Sequence, residues 1–148
     1  MRTYKILFVC TGNTCRSAMA EKIAGHLINK NGYDISAESA GLYVEPGSAM
    51  PAEAVQALAG LGIKSGGYTA KQLNPEDIAA ADLVISMSHE IKIAIGGCKN
   101  SYALTELIGG RDIPDPLGKG IRFYKIVAEY LFAAIEELLK RLSKGEII

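Results

Sequence analysis

At 148 residues, 49% hydrophobic and 22% charged, the chain is long enough to form one domain, residues 1–148, with a substantial core. Its sixteen basic and sixteen acidic residues cancel, so no net field favours nucleic acid or an anionic membrane, and no apolar stretch is long enough to span a bilayer. The N-terminus lacks a signal peptide's basic start, long apolar core and cleavage site, and three cysteines without framework spacing fit a reducing compartment, so a cytoplasmic protein is expected.

The first element is an apolar run over residues 6–9, short, bulky and bounded by a Gly-containing turn, which reads as a buried strand of a parallel sheet. Cys10 stands at its end. After Ser17 the period changes: Met19, Ile23, His26 and Leu27 share a helical face, Glu21 lies near the start, and Lys30-Asn31-Gly32 supplies a stop. A loop between such a strand and helix aims backbone N–H groups and the positive end of the helix dipole at one small space, which suits a phosphate-like anion. Gly12 lets the backbone come close, and Cys10 in that field is favoured as a thiolate nucleophile. Arg16 can hold two phosphoryl oxygens in a planar fork, and Ser17 can donate a hydrogen bond to the sulfur.

The stretch Cys10-Thr11-Gly12-Asn13-Thr14-Cys15-Arg16-Ser17 resembles the signature of the low-molecular-weight protein tyrosine phosphatase family, whose members share a Cys-x5-Arg phosphate loop just after the first strand. The resemblance implies that residues 10–17 build the phosphate-binding loop, with Cys10 and Arg16 catalytic. The family's usual Pro after the Ser is Ala18 here, a good helix former expected to leave the loop intact. Cys15 lies inside the loop close to Cys10. Its counterpart in relatives forms a reversible disulfide that spares the nucleophile from overoxidation; the other reading is a packed small thiol.

Residues 33–40 read as a second strand, with Ile35 and Ala37 alternating against polar neighbours. Its ending, Glu38-Ser39-Ala40-Gly41, resembles that of the family's second strand, where the Ser supports the phosphate loop, so Ser39 is a supporting candidate. Residues 42–51 carry Pro46, Gly47 and Pro51 and read as a loop. By resemblance this loop forms one cleft wall, with Leu42, Tyr43 and Val44 as candidates among which the sequence does not choose. A helix is expected over 51–61, ended by Gly62, then an irregular polar stretch over 63–73, then a short helix opened by Asn74-Pro75-Glu76-Asp77 and running through Ala81. Residues 82–88 read as another apolar strand, followed by a helix over His89–Ile95; His89 and Lys92 are candidates for the cleft mouth, while a lone surface His is more often structural or solvated. A turn at Gly96-Gly97-Cys98, a last strand over 102–107 and a long amphipathic helix over 121–142 with a charged, frayed tail complete the chain.

Between the last strand and the long helix lies Asp112-Ile113-Pro114-Asp115-Pro116-Leu117-Gly118, stiffened by two prolines. Phosphoryl transfer to Cys10 requires a proton for the leaving atom, which a carboxylic acid opposite the thiolate can supply before activating water for the second step. Asp-Pro-x-Gly near the C-terminus resembles the family's general-acid loop, which gives Asp115 the catalytic role and leaves Asp112 as a capping or solvated residue. Tyr124 matches a recurring family Tyr, and core packing of its helix explains it equally well.

Alternating strands and helices predict an α/β fold with a doubly wound, mostly parallel sheet and helices on both faces; the resemblance makes it four-stranded and Rossmann-like. Substrate choice turns on Thr14 and Leu117. Tyrosine-directed relatives usually carry a bulky aliphatic residue at the first position and an aromatic at the second. Thr14 and the Met87-Ser88-His89 stretch look like the bacterial protein-arginine phosphatase branch, and a hydroxyl narrows and polarises the pocket while Asp115 can pair with a guanidinium. The expected activity is a phosphoarginine phosphatase, with a tyrosine phosphatase as the alternative. A thioredoxin-coupled arsenate reductase needs a further cysteine pair, and only Cys98 is available. Expected partners are a phosphorylated protein and a phosphate or similar oxyanion in the loop, with no nucleic acid, no membrane and a monomeric chain. His26 and His89 have no metal-ligand spacing, so metal-independent chemistry without cofactors is expected.

Overall fold

The computed structural model describes residues 3–147. Strand β1 (Tyr4–Cys10) is followed by helix α1 (Arg16–Asn31), β2 (Ile35–Gly41), α2 (Ala52–Ala59), α3 (Pro75–Ala80), β3 (Leu83–Ser86), α4 (His89–Ile95), β4 (Ser101–Ala103), α5 (Leu104–Ile108) and α6 (Ile121–Ser143). The strands form one parallel sheet in the order β2-β1-β3-β4. The chain order reverses beside β1, and in sheets of this kind ligands sit at that switch, outside the carboxyl ends of the strands. Cys10 ends β1 there, with Gly41 as its partner on β2.

The central strands carry apolar runs because both faces are covered: Ile6 to Cys10 and Leu83 to Ile85 are buried, and the polar Ser86 is buried with them. Helix α1 packs on β2 and α6, and α6 also packs on α2. Along α6 the buried residues Tyr124, Val127, Ala128, Leu131, Ile135 and Leu138 recur every three or four positions, the stripe a helix lays on a core. Each fully buried Leu or Ile on that stripe contributes about 1.5–3 kcal/mol. The described residues include no helix long and apolar enough to cross a membrane.

Several boundaries differ from the sequence reading: β1 is longer than residues 6–9, β3 holds only Leu83–Ser86 of residues 82–88, and four further differences have a local cause. Strand β2 starts at Ile35, because Gly32 closes α1 in the left-handed conformation (φ 68°) and the chain is still turning at Tyr33. Helix α2 stops at Gly60, and Gly62 (φ 80°) serves the turn that follows. The last strand holds only three residues: Glu106 accepts a hydrogen bond from the Ala103 N–H (2.8 Å) and starts a helical turn, which converts residues 104–107 from strand to α5. The tail is tied back rather than frayed, since Gly145 (φ 68°) reverses the chain and Ile147 reaches the core; Ile148 lies outside the described residues.

Candidate active site

Cys10, Thr11, Gly12, Asn13, Thr14, Cys15 and Arg16 curl around one cavity of about 160 Å³, and Asp115 and Leu117 close it from the other side. Helix α1 opens at Arg16 without a side-chain cap at Cys15. The first N–H groups of any helix have no intrahelical partner, so this opening offers donors and positive potential to an anion. The phosphate-loop residues expected from the sequence are thus gathered, together with the distant aspartate.

Asn13 is the centre of the loop. It is fully buried and takes a positive φ (56°), a conformation that Asn tolerates better than most residues. Its backbone N–H points to the Cys10 sulfur at 3.3 Å. Its side-chain Nδ2 donates to Ser17 Oγ (2.8 Å) and Ser39 Oγ (2.9 Å), while Oδ1 accepts from the Tyr68 hydroxyl (2.6 Å) and the Lys71 N–H (2.8 Å). Both amide hydrogens and both carbonyl lone pairs are used. Gly41 makes this possible, since a Cβ there would come within 2.9 Å of Asn13.

The network also fixes the polarity around Cys10. Ser17 Oγ accepts from Asn13, which frees its own hydrogen for the Cys10 sulfur 2.8 Å away, with the Ala40 carbonyl a more distant acceptor at 3.5 Å. Ser17 therefore acts as the donor, an arrangement suited to a sulfur anion. Ser39 accepts from Asn13 Nδ2 (2.9 Å) and passes its own hydrogen to Glu21 Oε1 (2.8 Å), which ties the loop to α1. Burial pushes the Tyr68 phenol up to about 12, which keeps its hydroxyl a donor to Asn13.

Arg16 and Asp115 close the cavity. Arg16 Nη1 donates to the Ile113 carbonyl (3.2 Å), and Nη2 lies 3.4 Å from Thr11 Oγ1 and 3.9 Å from Asp115 Oδ2. Asp115 Oδ1 accepts from the Leu117 N–H at 3.1 Å, leaving Oδ2 on the Arg16 side. Leu117 is 62% exposed at the mouth, and Thr14 Oγ1 sits 3.7 Å from Cys15 Sγ. Cys15 is buried against the Tyr124 hydroxyl (3.4 Å), and its thiol is pushed up, chiefly by burial. Tyr124 thus both packs in the core and touches the loop.

The remaining candidates fall nearby or elsewhere. Asp112 is a cap: its carboxylate accepts the His89 N–H (3.2 Å) and meets His89 Nδ1 (3.0 Å). Lys92 pairs with Glu106 (2.7 Å) and does not line the cavity. Leu42 and Tyr43 brace the loop through their N–H groups, to the Cys10 and Thr11 carbonyls, but none of residues 42–44 lines the cavity itself. Cys98 precedes β4 at the amino edge of the sheet, whereas Cys10 ends β1 at the carboxyl edge, so Cys98 is not placed to relay a disulfide to it. Sequence reading missed Glu21, Tyr68 and the Lys71 amide as loop supports. Glu21 carried a usable signal, four residues after Ser17 on one helical face; Tyr68, in an irregular stretch, carried none. Among the described residues no group of three or more His, Cys, Asp or Glu gathers that could hold a metal.

The family described as low molecular weight phosphotyrosine protein phosphatase matches residues 5–146. The protein-arginine-phosphatase of Bacillus subtilis is 34% identical over 146 residues, 94% of this chain and 97% of its own. Among solved structures, a Cys-to-Ser mutant of the YwlE arginine phosphatase with a phosphorylated active-site serine aligns with a TM-score of 0.90 at 33% identity, covering 95% of this chain and 96% of that one. A low molecular weight protein tyrosine phosphatase from T. tengcongensis aligns at 0.89 with 36% identity, covering 93% and 99%.

Proposed function

The chain belongs to the low molecular weight phosphotyrosine protein phosphatase family and is a cysteine-based phosphatase, and from that premise we propose that it hydrolyses phosphoarginine in proteins through a covalent phosphate on Cys10. The loop N–H groups and Arg16 hold the phosphoryl oxygens. The Cys10 thiolate attacks phosphorus as the P–N bond breaks, and the Asp115 carboxylic acid gives its proton to the leaving guanidine nitrogen. Ser17 steadies the thiolate before attack and again when it leaves. In the second step the Asp115 carboxylate takes a proton from water, the oxygen attacks phosphorus, and the S–P bond breaks to release phosphate and restore the thiolate. The phosphorylated serine of the YwlE mutant supports a covalent step at the equivalent of such a site.

The observation that carries the arginine reading is Thr14 lining the same small cavity as Asp115, in a chain similar over almost its full length to a protein-arginine-phosphatase. A hydroxyl in the wall replaces the apolar surface that a flat phenyl ring would seek, and a carboxylate at the mouth complements a guanidinium. The second reading, phosphotyrosine, is favoured by the 36% identity to the T. tengcongensis enzyme.

Steady-state kinetics on phosphoarginine and phosphotyrosine peptides, without added metal, test the choice. The wild type is expected to prefer phosphoarginine, Thr14→Ile to move that preference toward phosphotyrosine, and Cys10→Ser to be inactive on both. A wild type that prefers phosphotyrosine leaves the phosphatase chemistry and removes the arginine assignment. Turnover by Cys10→Ser removes the covalent mechanism.

A further inference from the structure

The loop that carries Asp115 is bent at both ends by glycines in the left-handed region, Gly109 (φ 77°) and Gly110 (φ 89°) before it and Gly118 (φ 78°) and Gly120 (φ 88°) after it. Asp115 itself is about half exposed, and its carboxylate has two ties, the Leu117 N–H and the longer approach to Arg16. Neither tie reaches the body of the sheet through a buried contact. The direction of the carboxylate is therefore inherited from the backbone that precedes it.

Two successive residues fix that backbone. Ile113 is buried and held by its main chain, with its N–H on the Met87 carbonyl (3.0 Å) and its carbonyl under Arg16 (3.2 Å). One such point stops the loop from sliding but leaves it able to rotate. Asp112 supplies the second point, because its carboxylate grips both the backbone N–H (3.2 Å) and the ring Nδ1 (3.0 Å) of His89 at the start of α4. Pro114 then carries the direction set at 112–113 to Asp115, since its ring fixes φ.

We propose that Asp112 and His89 are a positioning pair, which holds the acid loop in register over the phosphate loop and so sets how effectively Asp115 protonates the leaving atom. This rests on the assignment of Asp115 as the general acid. Neither residue lines the cavity. Asp112 acts through Asp115, and His89 acts through Asp112. The nearest charged neighbours, Lys92 on the next turn of α4 and Glu106 on α5, pair with each other at 2.7 Å, and Glu106 also feels the His89 ring through space.

The readout is the dependence of kcat/KM on the leaving group, measured over a series of aryl phosphates from p-nitrophenyl to phenyl and on a phosphoarginine peptide. A leaving group that departs without protonation is indifferent to the acid, whereas a poor one is not. For Asp112→Ala, kcat/KM on phenyl phosphate and phosphoarginine is expected to fall about tenfold, part of the roughly 10²–10⁴ that a positioned acid supplies, with p-nitrophenyl phosphate changing less than about twofold. His89→Ala keeps its backbone N–H on Asp112 and gives a smaller loss of the same pattern. Inhibition by inorganic phosphate stays at the wild-type level in both, because Ile113 and Arg16 are held independently; this also reports that the variants are folded.

Asp115→Asn separates the two assignments. If it steepens the leaving-group dependence while Asp112→Ala lowers every substrate by one common factor or by none, Asp112 is a structural contact only and the positioning role is overturned. If Asp115→Asn leaves the dependence as it is in the wild type, Asp115 is not the acid, and the pair's role falls with it.

Discussion

The phosphate loop and the acid loop close over one cavity, yet they are held in opposite ways. The phosphate loop is contiguous in sequence and fastened from beneath: Asn13, Ser17 and Ser39 are buried and bonded to one another, and the nucleophile sits in the floor. The acid loop lies about a hundred residues downstream in sequence, is bounded by left-handed glycines, and is fastened at Asp112 and Ile113, with Asp115 left half exposed. Binding an anion requires dipoles that are already oriented, because reorienting them on binding would consume the energy they give. Moving a proton to a leaving group and then from a water requires access from solvent. In the proposed mechanism the rigid half captures phosphate and the accessible half handles protons and water.

Breaking the rigid half should produce the larger effect. Asn13→Ala leaves the Lys71 N–H without its acceptor and the Tyr68 hydroxyl with only Ser39 Oγ (2.9 Å), removes the donor that orients Ser17, and puts a poorer residue at a positive φ. Buried polar groups left unpaired cost about 1–3 kcal/mol each, so a stability loss of about 3 kcal/mol is expected in chemical denaturation, together with weaker inhibition by phosphate. A loss under about 1 kcal/mol with unchanged phosphate inhibition would show that the loop holds its shape without Asn13.

A chemical challenge sharpens the contrast from the other side. Peroxide converts the Cys10 thiolate to a sulfenic acid, and the Cys15 thiol can condense with it, forming the S–S bond and releasing water. Burial pushes the Cys15 thiol up, so this second step is expected to quicken as pH rises. The wild type should recover its activity on reduction after a peroxide dose, while Cys15→Ser should lose most of it permanently at the same dose. Full recovery of Cys15→Ser would assign Cys15 to packing against Tyr124 alone.

The two loops also differed in how far they could be read from sequence. The phosphate loop was legible because its chemistry is local: a buried strand ends, Gly12 and Asn13 follow, and Arg16 starts a helix. Asp115 became legible only through its resemblance to a family motif, since nothing in Asp-Pro itself says which cavity it faces. The doubly wound parallel sheet followed from the alternation of elements, whereas its strand order was not legible there. What stayed hidden was support from a distance. Tyr68 belongs to a stretch without periodicity, and its bond to Asn13 depends on Gly41 letting two loops approach. The overlong last strand had a similar cause, because the Glu106 bond to the Ala103 N–H outweighs the β-propensity of residues 102–107.

Tyr68 gives the smallest expected effect and the most specific one. Tyr68→Phe removes a single donor from Asn13 Oδ1, which keeps the Lys71 N–H, so about 1 kcal/mol of stability should be lost at neutral pH. The pH dependence identifies the cause. Burial raises the folded phenol to about 12, against about 10 in an unfolded chain, so below pH 10 both states are protonated and its contribution is complete. Between pH 10 and about 12 the unfolded state releases a proton that the folded state keeps, and stability falls as pH rises. Tyr124 and Tyr4 are also raised by burial, so the variant should still decline in alkali, but less steeply than the wild type. Denaturation measured across that window decides the matter: equal slopes would mean that the Tyr68 hydroxyl is not held protonated against Asn13, and the phosphate loop would then rest on Ser17, Ser39 and the backbone alone.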